Sequence, residues 1–172
     1  PGLRALFVEP ATDPLHATRT GDRPRAGRGL RRGPHLPGVD PDALWLLEPT
    51  KVLPRRADPH QDERWAGKIR RAAGRLGMTS PVLWVNDPHG AEVMTATGWS
   101  TLYDITDDWL EAARDPVTLG RLARHEDLLM EQAREVVVCS TGLERSKSPR
   151  RPVTLLRNAV DPAAALAMPR PT

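Results

Sequence analysis

At 172 residues, with 25 Lys and Arg against 22 Asp and Glu, the chain has the length of one globular domain that buries its own core. A single cysteine, Cys139, excludes an internal disulfide framework, and the longest apolar runs, such as 43–47 and 136–139, are far too short to cross a bilayer. The positive charge is nearly all arginine, because Lys51, Lys68 and Lys147 are the only lysines; with abundant Ala and Pro this is the signature of a GC-rich genome and argues little for a nucleic-acid partner.

Residues 3–8 (LRALFV) read as a first strand, stopped by Glu9, Pro10 and the Asp13-Pro14 turn signal. The strand begins almost at once after Pro1, with no charged segment leading into a long apolar core, so the expectation is a cytosolic chain whose native N-terminus lies further upstream. Arg19, Arg23, Arg25, Arg28, Arg31 and Arg32 then follow, opposed only by Asp22 and interleaved with Gly and Pro. Such a segment, near 19–38, is expected to be a mobile loop that cannot pack a core. It is compatible with peripheral contact with an anionic membrane surface, or with plain solvation, and it lacks the aromatics that would stack bases.

Residues 43–47 (ALWLL) form a short continuous apolar run between Pro41 and Pro49, as in a strand covered on both faces. Trp65, Ile69, Ala72, Ala73 and Leu76 recur at helical spacing, so an amphipathic helix opens near Asp58-Pro59 or Asp62 and ends at Gly77. Residues 81–85 (PVLWV) are a third strand left through Asn86, Asp87, Pro88 and His89, and residues 91–97 a short helix stopped by Gly98. The next strand carries the chain's densest acidic cluster: Thr101, Leu102, Tyr103 and Ile105 suit a buried strand, while Asp104, Asp107 and Asp108 crowd its end. Taken singly, each Asp reads as a helix cap or a solvated carboxylate. Taken together, at the carboxyl end of a parallel strand, they also read as a functional edge.

Asp115-Pro116 starts the longest helix, with Leu119, Leu122, Ala123, Leu129, Met130 and Ala133 inside and Arg121, Arg124, Glu126 and Glu131 expected outside. Residues 135–140 (EVVVCS) are a strand, 141–147 a short helix and 152–156 (PVTLL) a last strand closing on Arg157 and Asn158, after which Asp161-Pro162 opens an alanine-rich helix. Asp-Pro recurs at 13, 40, 58, 87, 115 and 161, repeatedly where an apolar run has ended. Alternating strands and helices call for right-handed crossovers, so the predicted fold is α/β: a Rossmann-like parallel sheet with helices on both faces, over residues 1–160.

Common chemical signatures are missing. No Gly-rich fingerprint follows the first strand, no Walker lysine motif occurs, and the five histidines are scattered without zinc spacing. Ser140-Thr141-Gly142 is not a nucleophile elbow, since Val138 stands where its first glycine belongs. The polar residues at successive strand ends remain: Glu9, Glu48, Asn86 with Asp87 and His89, Asp104 with Asp107 and Asp108, Ser140, and Asn158.

The order WVNDP (84–88), LYDITDDW (102–109), EVVVCSTGL (135–143) and VTLLRNAVD (153–161) resembles the N-terminal half of a GT-B glycosyltransferase of the GT4-like, group 1 type. Two departures stand out: Ala159 replaces the glycine of the family's NGVD-like turn, and the glycine-rich loop often found after the first strand is missing. The resemblance implies sugar transfer from a nucleotide-sugar donor to a glycan, lipid or small-molecule acceptor bound mainly by this half, with no cofactor and no obligatory metal. It also implies a C-terminal donor-binding domain beyond the connection begun at 161–172. Cell-envelope polysaccharide synthesis on the inner face of the membrane would be a natural setting. Asp107 and Asp108 match the family segment that faces the cleft and are the expected catalytic carboxylates, Asp107 first. Asn86, Asp87, His89, Asp104, Ser140 and Asn158 are the expected substrate-binding residues, with Asp104 also a structural candidate, Asp87 equally suited to cap a helix and Asn158 better suited to fix the interdomain turn. Two rivals stay open: a metal-dependent enzyme using Asp104, Asp107 and Asp108, and a non-catalytic Rossmann-like binding or scaffold domain.

Overall fold

The computed structural model describes residues 3–11, 27–51, 58, 60–111 and 115–159. The expected turn at Asp13-Pro14, the arginine segment before residue 27 and the helix opening at Asp161-Pro162 lie outside them. Contacts divide the chain into two compact units, one of residues up to Pro81 with Glu92–Trp99, the other of Val82–Ala91 and Ser100 onward.

In the first unit, strand β1 (Ala5–Val8) runs parallel to β3 (Leu44–Glu48), with Ala5 opposite Leu44 and Val8 opposite Leu47. On the other side of β3 lies the antiparallel β2 (Gly29–Arg32). This strand falls where a mobile loop was expected. The backbone ladder to β3 is joined by cross-strand charge that a composition argument cannot see: Glu48 takes Arg31 in a close ion pair and Arg28 at 3.4 Å, and Arg32 pairs with Asp42 at 2.8 Å. The Arg31 guanidinium, hydrogen-bonded to Glu48, holds that carboxyl below its ordinary pKa. Helix α1 (Gln61–Arg75) buries Ala66, Ile69, Ala72 and Ala73. It is entered through Asp58, whose carboxylate accepts from the His60 N–H at 3.2 Å. Gly77, at φ 68°, then stops the helix while Met78 N–H reaches back to Ala73 O at 3.0 Å.

The second unit is a four-stranded, wholly parallel sheet flanked by helices, a Rossmann-like α/β arrangement. Its order is β4 (Val82–Val85), β5 (Ser100–Ile105), β6 (Glu135–Val138) and β7 (Thr154–Leu155). In this unit α3 (Pro116–Gln132) follows β5 and α4 (Thr141–Lys147) follows β6, whereas α2 (Gly90–Thr97) follows β4 along the chain but belongs to the first unit from Glu92 onward. At the start of α2 the backbone lies so close to β4 that a Cβ on Gly90 would stand 2.6 Å from a Val85 methyl. Asp115 caps α3 as its sequence requires, accepting from Val117 N–H at 3.1 Å and Thr118 N–H at 3.0 Å; these bonds, Thr118 foremost, depress its pKa.

Side-chain alternation splits the sheet into two unlike faces. Thr101, Tyr103 and Ile105 on β5, with Val85, Val136 and Val138 in register beside them, are buried. Burying side chains such as Ile105, Leu122 and Leu129 contributes about 1.5–3 kcal/mol each. The opposite face carries Leu102 and Asp104 beside Val82 and Trp84, and the last two are 68% and 62% exposed.

Candidate functional site

Because β4, β5, β6 and β7 all run parallel, their carboxyl ends share one edge, the edge where open α/β sheets meet ligands. Asn86 and Asp87 leave β4, Thr106 to Asp108 leave β5, Ser140 follows β6 and Asn158 follows β7. The structure gathers two of these residues, Asn86 and Asp108, into separate groups with other partners and leaves the rest apart.

The first group stands toward the exposed face. Trp84 lies opposite Leu102 in the β4–β5 register, and Asp104 lies two residues further along β5 on the same face. Asp104 Oδ2 accepts from the Trp84 indole N–H at 3.0 Å and from Asn86 Nδ2 at 3.1 Å. The Trp109 indole N–H donates in turn to the Asn86 carbonyl at 3.1 Å. A chain of hydrogen bonds thus runs Trp84–Asp104–Asn86–Trp109, joining the two segments WVNDP and LYDITDDW side by side. Within it Asp104 has both a structural part and an open one: Oδ2 holds the two strands' side chains together, while Oδ1 makes no hydrogen bond among the described residues.

The second group is an ionic network built on a buried pair. Lys147 Nζ donates to Asp108 Oδ1 at 3.1 Å and to Glu126 Oε1 at 2.9 Å, and Arg150 bridges Glu126 at 3.1 Å and Asp127 at 2.5 Å. Glu126 is wholly buried and the Lys147 side chain 6% exposed, so each is tolerated only because the other is there. Glu126 was expected on the outside of α3; it faces inward because Lys147 and Arg150 neutralise it. Two signals in the sequence pointed there. Glu126 falls on the apolar spacing 119, 122, 126, 129, 133, and Lys147 is a rare lysine in a chain of arginines. Tyr103 is fully buried, and burial together with the nearby carboxylates of Glu126, Asp87 and Asp108 raises its pKa well beyond the usual phenol value. Neither its hydroxyl nor Glu126 Oε2 has a hydrogen-bond partner among the described residues.

The remaining expected residues fall in separate settings. Asp87 Oδ1 accepts from the His89 backbone N–H at 2.9 Å and lies 2.8 Å from His89 Nδ1, a turn that leads into α2. The His89 ring meets His125 edge-on at 5.5 Å between centroids. Asp108, besides binding Lys147, opens a turn by accepting from Leu110 N–H at 3.3 Å, whereas Asp107 is exposed with the Thr106 hydroxyl 3.3 Å away. Ser140 caps α4 through Leu143 N–H at 3.3 Å, and Asn158 is exposed beyond β7. Asp104, Asp107 and Asp108 therefore diverge: one is tied to Trp84 and Asn86, one is solvated, and one is paired with Lys147. Among the described residues no three His, Cys, Asp or Glu side chains are grouped to hold a metal ion.

The edge can offer a substrate fixed hydrogen-bond acceptors, an exposed indole and a solvated carboxylate. Among the described residues no helix is long and apolar enough to cross a membrane. No protein-family model and no curated protein matches the chain.

Proposed function

We propose that this chain is the acceptor-binding half of a GT-B, group 1 type glycosyltransferase, working on the cytoplasmic side with a nucleotide-sugar donor held by a second domain. The observation that carries the reading is the hydrogen bonding of Asn86 to Asp104. It shows that WVNDP and LYDITDDW, two of the segments on which the resemblance rests, meet at the carboxyl edge of a parallel sheet. In this reading the acceptor is held at the ends of β4 and β5, and Asp107 is the carboxylate open to it. Asp108 is already committed to Lys147 and to the turn at Leu110. A solvated Asp107 would orient the acceptor hydroxyl or stabilise the positive charge that develops on the transferred sugar.

The test is an assay of the gene product that carries these residues together with the donor-binding half, in which nucleoside diphosphate release is followed across panels of nucleotide sugars and glycoside acceptors. Acceptor-dependent release is the expected result. No release with any donor and acceptor pair overturns the reading.

A further inference from the structure

We infer that Trp84, Asn86, Asp104 and Trp109 form a sugar subsite of this acceptor edge, selective for uncharged pyranosides over uronic acids; the inference rests on the acceptor-binding reading above. Three features of the geometry lead there. Trp84 is 62% exposed, yet its indole N–H is spent on Asp104, so a large apolar ring is held in place at the surface. A pyranose has an apolar face of C–H groups that would lie on such a ring. The second feature is the polar array beside it. Asp104 Oδ2 is occupied by Trp84 and Asn86, which orients the carboxylate and leaves Oδ1 open. The Asn86 amide, holding Asp104 through one hydrogen, keeps its other hydrogen and its oxygen unbonded among the described residues. Two acceptors and a donor fixed next to an apolar ring match adjacent hydroxyls of a sugar, each of which donates and accepts, and bonds to an ionised acceptor are the stronger kind.

The third feature sets the charge of the ligand. Asp104 stands near the end of β5, and Asp87, Asp107, Asp108 and Glu111 belong to the segments leaving β4 and β5. The cations of the neighbouring network, Lys147 and Arg150, are already bonded to Asp108, Glu126 and Asp127. A carboxylate or phosphate on the ligand would meet like charge with no free cation of that network to offset it. An uncharged sugar meets no such penalty.

The experiment is saturation-transfer NMR and calorimetry on the 172-residue chain. The probes are methyl glucoside, methyl galactoside, methyl mannoside and N-acetylglucosamine, with methyl glucuronide and methyl galacturonide as matched acids. At least one neutral sugar should bind, with its uronide weaker by about tenfold or more. Trp84→Ala should weaken neutral-sugar binding by about tenfold, while Trp84→Phe, which keeps a ring face, should retain part of it. Asp104→Asn should weaken binding and reduce the discrimination against uronides. Circular dichroism melting of each variant checks that the fold persists. Binding that is unchanged in Trp84→Ala and Asp104→Asn, or uronides bound as well as neutral sugars, overturns the subsite and leaves the acceptor-binding reading standing. No binding of any of these sugars also overturns the subsite, and the transferase assay then decides the broader reading by itself.

Discussion

Replacing Lys147 by Met removes one ammonium from a place where two carboxylates depend on it. Lys147 Nζ bonds Glu126 at 2.9 Å and Asp108 at 3.1 Å, and the Glu126 side chain is 0% exposed, so the substitution leaves a buried carboxylate with one cation, Arg150, at 3.1 Å. Stripping one partner from a buried pair costs roughly 3–5 kcal/mol, and because Arg150 stays the loss should sit near the lower end, about 3 kcal/mol. For a chain of this size that is a fall in Tm of roughly 6–12 °C. The double variant Glu126→Leu/Lys147→Met removes both charges and replaces them with apolar side chains of similar volume. It should recover most of the loss, giving a coupling energy of about 2 kcal/mol or more. Urea denaturation followed by far-UV circular dichroism, at low and high salt, measures all four corners of the cycle. A buried network should keep its coupling at high salt, where an exposed one would lose it. A Lys147→Met variant within about 0.5 kcal/mol of wild type, or a double variant no more stable than the worse single one, would refute the reasoning.

Asp107→Asn, made in the gene product that carries the donor-binding half, should lower turnover by about a hundredfold, the scale of one electrostatic contact made in a transition state. Stability should hold within about 0.5 kcal/mol, because Asp107 is exposed and, among the described residues, hydrogen-bonds to the Thr106 hydroxyl alone; unchanged turnover would remove it from the chemistry. Tyr103→Phe should leave stability unchanged or raise it by up to about 1 kcal/mol, since the hydroxyl it deletes is buried without a partner among the described residues; chemical denaturation showing a clear loss would mean that a bond was broken. Asp115→Ala should lower Tm at neutral pH while Asp115→Asn largely preserves it. The folded pKa of Asp115 lies below its unfolded value. Its contribution is therefore present above the ordinary carboxylate range and lost as pH falls through the folded value, so the Tm gap between wild type and the Ala variant should close in acid. A gap independent of pH would count against the cap.

Much of the architecture was written locally. Residues 116–132 had to be a helix because Asp115 and Pro116 open it and a helical apolar stripe follows. Gly77 and Gly98 had to end helices because both sit at positive φ, 68° and 65°. The strands at 82–85, 100–105 and 135–138 announced themselves as short β-branched and aromatic runs, and α4 occupies the expected residues 141–147. The site was less legible. Asp104, Asp107 and Asp108 look alike in a row of letters, yet β5 and the turn after it put them in different surroundings. Period-two alternation sends Asp104 to the Trp84 face, while the turn after Ile105 aims Asp108 at Lys147 and leaves Asp107 in water. Glu126 is buried for a reason of the same kind, its partners Lys147 and Arg150 lying on another part of the chain. A charge on an apolar stripe is placed outside by any rule that sees one helix at a time.

What the sequence determined by itself was the alternation of elements with many of their caps and stops, which depend on neighbours within a few residues; the parallel character of the second sheet follows from that alternation through the crossover rule. The tertiary structure alone decided three things: the antiparallel β2, the burial of Glu126, and the joining of Trp84, Asn86, Asp104 and Trp109. Each depends on a partner 17 to 24 residues away, as in the pairs Arg31–Glu48, Glu126–Lys147, Asn86–Asp104 and Arg150–Glu126. A polar or charged group pairs by direction and distance, and those exist only once the chain has folded; a hydrophobic stripe or a cap acts through the local repeat of the backbone and is already present in the order of the residues.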